Sequence, residues 1–243
     1  MGYGDAWALQ KLLLAARQAG AAPDTVLFVE HPPVITLGRA ARASNVLAAP
    51  GMLAARGIEV FQIERGGDVT YHGPGQLVAY PIVDLRAFDE DVGRYVRMLE
   101  AALIDALAAW RITAERLRGF PGVWIAGAKV AAIGVAVKRK VTMHGFALNV
   151  DPDLAAFDLI NPCGLGRPVT SIARQLARPV PLDEAIPVVA SSLAETLGLR
   201  METRTIDDIR RALAAAPARP AIEGAVRPAT DGAVRPAIDG VGA

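Results

Sequence analysis

Apolar residues return along this chain with two different periods. Ala6, Leu9, Leu12, Leu13 and Ala16 fall at helical spacing, which predicts a helix over 5–19 with Asp5 as its N-cap and Gly20 as its stop. Residues 26–29 form an unbroken apolar run and predict a buried strand. His31-Pro32-Pro33 interrupts it, and an extended run resumes over 34–37. Residues 39–57 predict a loop with a short helical piece. Strands are expected at 58–63 and 76–84. Pro81 lies inside the second, which predicts an edge position or a bulge, since proline donates nothing to a ladder.

The clearest helix is expected over 89–110, where Val92, Tyr95, Val96, Leu99, Leu103 and Leu107 make one stripe between charged positions. Residues 123–125, 130–137 and 142–150 predict three consecutive strands, joined at Gly127-Ala128 and at Lys138-Arg139-Lys140. A further helix is expected over 182–197, with Pro187 in an early turn. Helices over an antiparallel or mixed sheet make an α/β, or α+β mixed, fold class. The end of the chain has another character. Arg219-Pro220-Ala221 recurs as Arg227-Pro228-Ala229 and Arg235-Pro236-Ala237, each followed by an acidic residue and glycine. Such a unit builds neither helix nor core, so 217–243 is expected to be a disordered repeat tail behind a catalytic domain at 1–216.

Composition narrows the function. Hydrophobic residues make up 52% of the 243, enough for a core, and the net charge of +1 lacks the basic excess of a nucleic-acid binder. A single cysteine excludes an internal disulfide and a cysteine zinc cluster, and three histidines argue against a metal site. No apolar run has a membrane helix's length, and Asp5, Lys11 and Arg17 interrupt any signal-peptide pattern, so a cytoplasmic, reduced protein is expected.

Three patches carry candidate chemistry. The first, Arg65-Gly66-Gly67-Asp68-Val69-Thr70-Tyr71-His72-Gly73-Pro74-Gly75-Gln76, is glycine-rich and lets backbone approach a ligand beside an aromatic and a titratable ring. It reads equally as a long turn. The second is Lys129, at the head of the apolar run Val130-Ala131-Ala132-Ile133-Gly134, with His144-Gly145-Phe146-Ala147 one hairpin later. A solvent-facing lysine and a structural histidine fit the same pattern. The third is Asn161-Pro162-Cys163-Gly164-Leu165-Gly166, where turn-forming neighbours leave the only thiol accessible, or simply inert in a loop. Neither a Walker A sequence nor a dinucleotide glycine fingerprint is present. A thiol, an amine, imidazoles and a glycine cradle suit covalent acyl transfer, with the acyl group unspecified.

The stretch from Arg65 through His72 and Gln76 to Tyr80-Pro81 resembles the signature of the lipoyl(octanoyl) transferases, the lipoate–protein ligase B family. Companion segments resemble it in order: Glu30-His31-Pro32-Pro33-Val34, Thr36-Leu37-Gly38-Arg39, Gly122-Val123-Trp124, Lys129 to Gly134, Thr142-Met143-His144-Gly145-Phe146-Ala147-Leu148-Asn149-Val150, and Pro162-Cys163-Gly164-Leu165. The resemblance spans about residues 5–200. It implies a biotin/lipoate protein ligase-like fold, a mixed sheet with flanking helices related to class II aminoacyl-tRNA synthetases.

The resemblance also implies the reaction. Octanoyl leaves octanoyl-acyl carrier protein for Cys163 as a thioester. It then passes to a lysine ε-amine on lipoyl domains of 2-oxoacid dehydrogenases or on glycine cleavage H protein. Neither nucleic acid nor membrane is a partner. Lys129 is then the group that lowers the thiol pKa, and substrate contacts fall at Arg65, Gly66, Gly67, Asp68, Val69, Thr70, Tyr71 and His72. Further contacts fall at Ala132, Ile133, Gly134, Gly145, Phe146 and Ala147, with His144 as an accessory group. No cofactor or metal is called for, and ATP is not needed because the donor is already a thioester. An ammonium at about 4 Å is worth ~4 kcal/mol to a thiolate at an effective dielectric of ~20, partly offset by desolvation. Burying the octanoyl methylenes contributes roughly 5 kcal/mol at ~0.8 each, with Ala132, Ile133 and Ala147 as the expected wall. Arg39, Arg42 and Lys138-Arg139-Lys140 are candidate contacts for acidic partner proteins. The competing readings are an ATP-dependent lipoate or biotin protein ligase on the same fold, and a non-catalytic acyl-binding module.

Overall fold

The computed structural model describes residues 1–161 and 167–215. Cys163 and the repeats of 217–243 lie outside the described residues. In chain order the first elements are α1 (Tyr3–Gln18), β1 (Thr25–Val29), β2 (Val34–Leu37), α2 (Pro50–Ala55), β3 (Glu59–Gln62), β4 (Val69–His72) and β5 (Gln76–Ile82). Then come α3 (Val92–Ala108), β6 (Glu115–Leu117), β7 (Phe120–Ile125), β8 (Ala128–Lys138) and β9 (Val141–Asn149). Helices α4 (Ile172–Leu176), α5 (Leu182–Leu197) and α6 (Ile206–Ala215) complete the described chain.

Six strands form an antiparallel sheet in the order β1-β5-β9-β8-β7-β6. Leu99, Leu103 and Leu107 of α3 and Val189 and Leu193 of α5 bury one face of it. On the other face Ala6, Leu9 and Leu13 of α1 meet Leu27, Val78, Tyr80, Met143 and Ala147. With both faces covered, β5 and β9 are buried at every position. A second sheet, β3-β2-β4, stands beside the first, with β2 parallel to β3 and antiparallel to β4. This mixed arrangement is the α/β class expected from the sequence.

Several local expectations change. Helix α1 starts earlier than predicted, Gly2 takes the N-cap position, and Asp5 lies in the first turn, where a carboxylate suits the helix dipole. Leu12 is 60% exposed and leaves the predicted stripe, while Leu14 is buried in its place. Helix α3 is capped by Asp91, whose carboxylate accepts from Arg94 N–H, three residues into the predicted span. Pro81 is on an interior strand. The β5–β9 ladder ends at Ala79, so the missing proline N–H falls past the last pair. The Arg139-Lys140 turn has φ of 47° and 68°, the left-handed pair that closes a two-residue hairpin. Strands β4 and β6 and helices α4 and α6 were not expected.

Candidate active site

A cavity of about 340 Å³ lies where the segment 65–72 passes over β5, β8 and β9. The segment is laced down by main-chain hydrogen bonds. Gly38 N–H donates to Asp68 O (3.2 Å), Arg39 N–H to Arg65 O (3.0 Å), Ala40 N–H to Gly67 O (3.1 Å), and Gly66 N–H to Val135 O (2.9 Å). A Cβ on Gly38 would stand 2.4 Å from Gly67 O, so only glycine permits this approach. The Arg65 guanidinium is buried and donates to Thr36 O (2.8 Å), Thr36 Oγ1 (3.0 Å) and Gly66 O (3.0 Å). Asp68 accepts from Asn45 Nδ2 (2.5 Å) and from Val69 N–H (2.7 Å), which fixes the turn into β4.

Arg65, Gly66, Gly67, Asp68, Val69, Thr70, His72, Lys129, Ala132, Ile133, Gly134, His144, Gly145, Phe146 and Ala147 all line this one cavity. Residues far apart in sequence thus converge, because Ala132 pairs with Ala147 and Gly134 with Gly145 across β8 and β9. Tyr71 is the exception. Strand alternation turns it away, and its ring packs edge-on against Phe157 in the core under the small sheet. Tyr3 and Val78 also line the cavity, as do Tyr80, Gln76 and Asn149, which the sequence places inside its motifs without a substrate contact. The last two carried a signal: each is an amide in an otherwise apolar strand, and a buried amide needs partners.

Those partners form a directed chain. The Thr170 carbonyl can only accept, so Asn149 presents Nδ2 to it (3.0 Å). Asn149 Oδ1 then accepts from Gln76 Nε2 (2.9 Å), and Gln76 Oε1 faces His72 Nδ1 (2.7 Å). His72 must therefore carry its proton on Nδ1, which leaves Nε2 as an acceptor. His31 is fixed in the same tautomer, with Nδ1 donating to Met1 O (2.8 Å) and Nε2 accepting from Tyr80 O–H (2.8 Å). Tyr3 stacks on His72, and His31 lies against both rings, so one aromatic cluster forms the wall beside α1. Burial pushes the His72 imidazole down to about 3 and also lowers His31, so both are neutral at pH 7.

His144 differs from both. It has a φ of 58° in the middle of β9, an uncommon conformation for a residue with a side chain. Its N–H donates to Gln10 Oε1 (2.8 Å), and its ring lies edge-on to Tyr80. It is 1% exposed, and neither ring nitrogen has a hydrogen-bond partner among the described residues, although Nε2 is 3.4 Å from Glu64 Oε2. Burial lowers its pKa to about 4, with the Glu64 carboxylate opposing. Burial also pushes Glu64 up, but its backbone hydrogen bond and the Lys138 ammonium (3.1 Å) outweigh this and hold it below its ordinary value.

Lys129 sits at the other end of the cavity. Its Nζ lies 4.6 Å from the centroid of the Trp124 ring, a favourable place for an ammonium. Lys129 N–H donates to Pro168 O (2.9 Å), and Lys129 O accepts from Thr170 N–H (2.9 Å). The chain leaving 162–166 is therefore bonded directly to the lysine's own peptide groups. On the other side of those residues, Asn161 N–H donates to Asn45 O (2.8 Å). Arg39 also lines the cavity, whereas Lys138 and Lys140 of the hairpin turn are ion-paired with Glu64 and Glu90. Among the described residues no group of three His, Cys, Asp or Glu side chains is placed to hold a metal, and no helix is long and apolar enough to cross a membrane.

Residues 2–194 match the family model described as lipoyl protein ligase A/B catalytic domain. A protein of Chloroflexus aggregans named octanoyltransferase is 51% identical over 202 residues, which cover 82% of this chain and 91% of that protein. Its namesake from Gloeobacter violaceus is 50% identical over 206 residues, 84% of this chain and 90% of that one. Among solved structures, lipoate-protein ligase A bound with ATP superposes with a TM-score of 0.70 at 19% identity, covering 85% of each chain. A putative lipoate protein ligase from T. acidophilum with bound lipoic acid gives 0.65 at 16% identity, over 85% of this chain and 88% of that one. At these identities the structures speak for a shared fold.

Proposed function

We infer a complete reaction path from one premise, that this chain belongs to the lipoyl protein ligase A/B catalytic-domain family. Its activity is octanoyl transfer in lipoate biosynthesis, an acyltransferase reaction between an acyl donor and a lipoyl-domain type of acceptor. In our reading the donor is octanoyl-acyl carrier protein. The acceptors are lysines of lipoyl domains in 2-oxoacid dehydrogenases and of the glycine cleavage H protein, all met in the cytoplasm. The catalytic unit is 1–216, and the repeats of 217–243 take no part in the chemistry.

Cys163 is the nucleophile in this reading and Lys129 its activator. The thiolate attacks the donor thioester carbonyl. The carbon–sulfur bond to the carrier breaks, and the departing thiolate leaves with the proton that Cys163 gave up. The acceptor amine, having lost a proton, then attacks the enzyme thioester. Cys163 leaves as thiolate, an amide forms, and the nitrogen's second proton returns to the sulfur. Only a thiolate is an effective nucleophile, and an ordinary thiol with pKa near ~8.5 supplies a few per cent of it at neutral pH. An ammonium nearby raises that fraction by favouring the charged form. Glycine-segment N–H groups beside the cavity suit the charge that develops on the carbonyl oxygen.

The observation that supports this reading is the bonding of the Lys129 main chain to Pro168 and Thr170, five and seven residues beyond Cys163 in sequence. The test is intact-mass spectrometry after mixing with octanoyl-acyl carrier protein in the absence of ATP. One octanoyl adduct, lost with hydroxylamine and absent in Cys163→Ala, is expected. Lys129→Ala should slow its formation at neutral pH and recover partly as pH rises. An absolute need for ATP would point instead to a ligase, and rates unaffected by Lys129→Ala at every pH would remove the lysine from the path.

A further inference from the structure

His72 leaves one polar atom of the cavity wall unused. The chain from the Thr170 carbonyl through Asn149 and Gln76 puts the ring proton on Nδ1, so Nε2 has a lone pair and no hydrogen. No described residue donates to it. The residue is 6% exposed and lines the cavity. Both nitrogens of His144 are sealed away without a partner, and His72 Nε2 is not. Tyr3 stacked on the ring and His31 beside it hold its plane.

The carboxylate and amide oxygens of the wall are engaged. Asp68 takes hydrogen bonds on both oxygens, Gln76 Oε1 faces His72, and Asn149 Oδ1 faces Gln76. Gln76 is paired with Asn149 across β5 and β9, and Asn149 reaches the Lys129 carbonyl through Thr170. His72 and Lys129 thus stand at two ends of one hydrogen-bonded row along the cavity. Charge selects the form of the donor that can meet Nε2. Among the described residues Arg39, Arg65 and Lys129 line the cavity against a single carboxylate, Asp68, so the neutral form of an entering amine is favoured. A neutral amine has N–H groups to place and a lone pair to aim.

We propose that His72 Nε2 receives an N–H of the acceptor lysine's ε-amine and aims its lone pair at the enzyme thioester. The inference rests on the octanoyl-transfer reading with the thioester formed beside Lys129. The amine nitrogen gains positive charge as the carbon–nitrogen bond forms. Its N–H becomes a better donor, and the contact strengthens in the transition state. His72 itself takes no proton: one is lost before attack and the second returns to the sulfur, as in the transfer path. The titratable groups that face the ring are Tyr3, His31, Arg65 and His144, none of them a carboxylate. Burial leaves the imidazole a weak base, so it stays an acceptor.

Intact mass reads each half-reaction: formation of the acyl-enzyme from octanoyl-acyl carrier protein, and its decay when a lipoyl domain is added. His72→Phe keeps a ring and removes the acceptor. It should slow decay at least about tenfold more than formation, the effect of one hydrogen bond to a nitrogen gaining charge. Gln76→Glu sets a carboxylate against Nδ1 and favours the imidazolium, whose Nε2 carries a proton and accepts nothing. Its decay rate relative to the unsubstituted protein should be low near about pH 6 and climb as pH rises and the ring gives up that proton. A merely structural role leaves that ratio flat. If His72→Phe does not fold, Gln76→Glu decides alone. Formation and decay slowed alike, or neither slowed, in a folded His72→Phe overturns the proposal, as does a flat ratio in Gln76→Glu. Failure of the unsubstituted protein to form an acyl adduct, or to pass it to the lipoyl domain, overturns the transfer reading instead.

Discussion

At the level of single residues, two amides set the hydrogen bonding of the cavity wall around His72. Asn149 joins the Thr170 carbonyl to Gln76, and through it sets which nitrogen of His72 carries the proton. Asn149→Ala leaves the Thr170 carbonyl without its side-chain donor and Gln76 Nε2 with only the long bond to Tyr71 O (3.4 Å), a cost of about 1–3 kcal/mol. It should also slow acylation, because Thr170 is bonded to the peptide carbonyl of Lys129. Urea melts and acyl-adduct rates measured on one preparation check both effects. The imidazoles make a separate prediction. His72 and His144 titrate near 3 and 4 in the folded protein, against 6.5 when unfolded. Their stabilising contribution is complete above pH 6.5. It is lost as pH falls below that value, because the unfolded chain binds the protons first. By about pH 5 each ring should have cost about 2 kcal/mol, and His72→Gln should remove roughly half of that slope in denaturation measured across the range.

Among the elements, legibility in the sequence followed periodicity. Helices α3 and α5 and strands β8 and β9 were readable because their apolar positions repeat over two turns or nine and more residues. Strand β4 was not, since its four residues sit in a glycine-rich stretch that reads as a turn, and its partner β2 lies some thirty residues earlier. Tyr71 was misplaced with it: once the segment is a strand, alternate residues must face apart. Helix α6 carries a signal in Ile206, Ile209 and Leu213, spaced for one face. Most of the candidate site was legible as motif, because glycine, lysine and histidine clusters mark it locally. Tyr3 and Val78 join it only through helix placement and strand pairing, which no local spacing reveals.

On the scale of the whole molecule the sheet is sandwiched between unequal layers. Helices α3 and α5 bury one face with long aliphatic side chains, while α1 covers the other and is itself partly covered by α6. Chain ending after Ala215 should melt within about 2 °C of the full chain, because every described contact is kept. Ending it after Arg204 removes Ile206, Ile209 and Leu213 from the α1 layer, worth about 2–3 kcal/mol of burial, or roughly 5–10 °C in a thermal melt. Calorimetry on the two shortened chains separates the outcomes.

The main-chain bonds on either side of residues 162–166 have a consequence for how such a chain tolerates change. Asn161 is tied to Asn45, and residues 168 and 170 to Lys129, in each case through peptide groups: N–H at 161 and 170, which every amino acid but proline supplies, and the carbonyl at 168, which proline supplies as well. Replacing side chains at these anchoring positions leaves the ties in place. Adding or deleting a residue between 168 and 170 takes one of the two bonds to Lys129 out of register. In descendants of this sequence, the spacing from 168 to 170 should therefore drift far less than the identity of the residues that mark its ends.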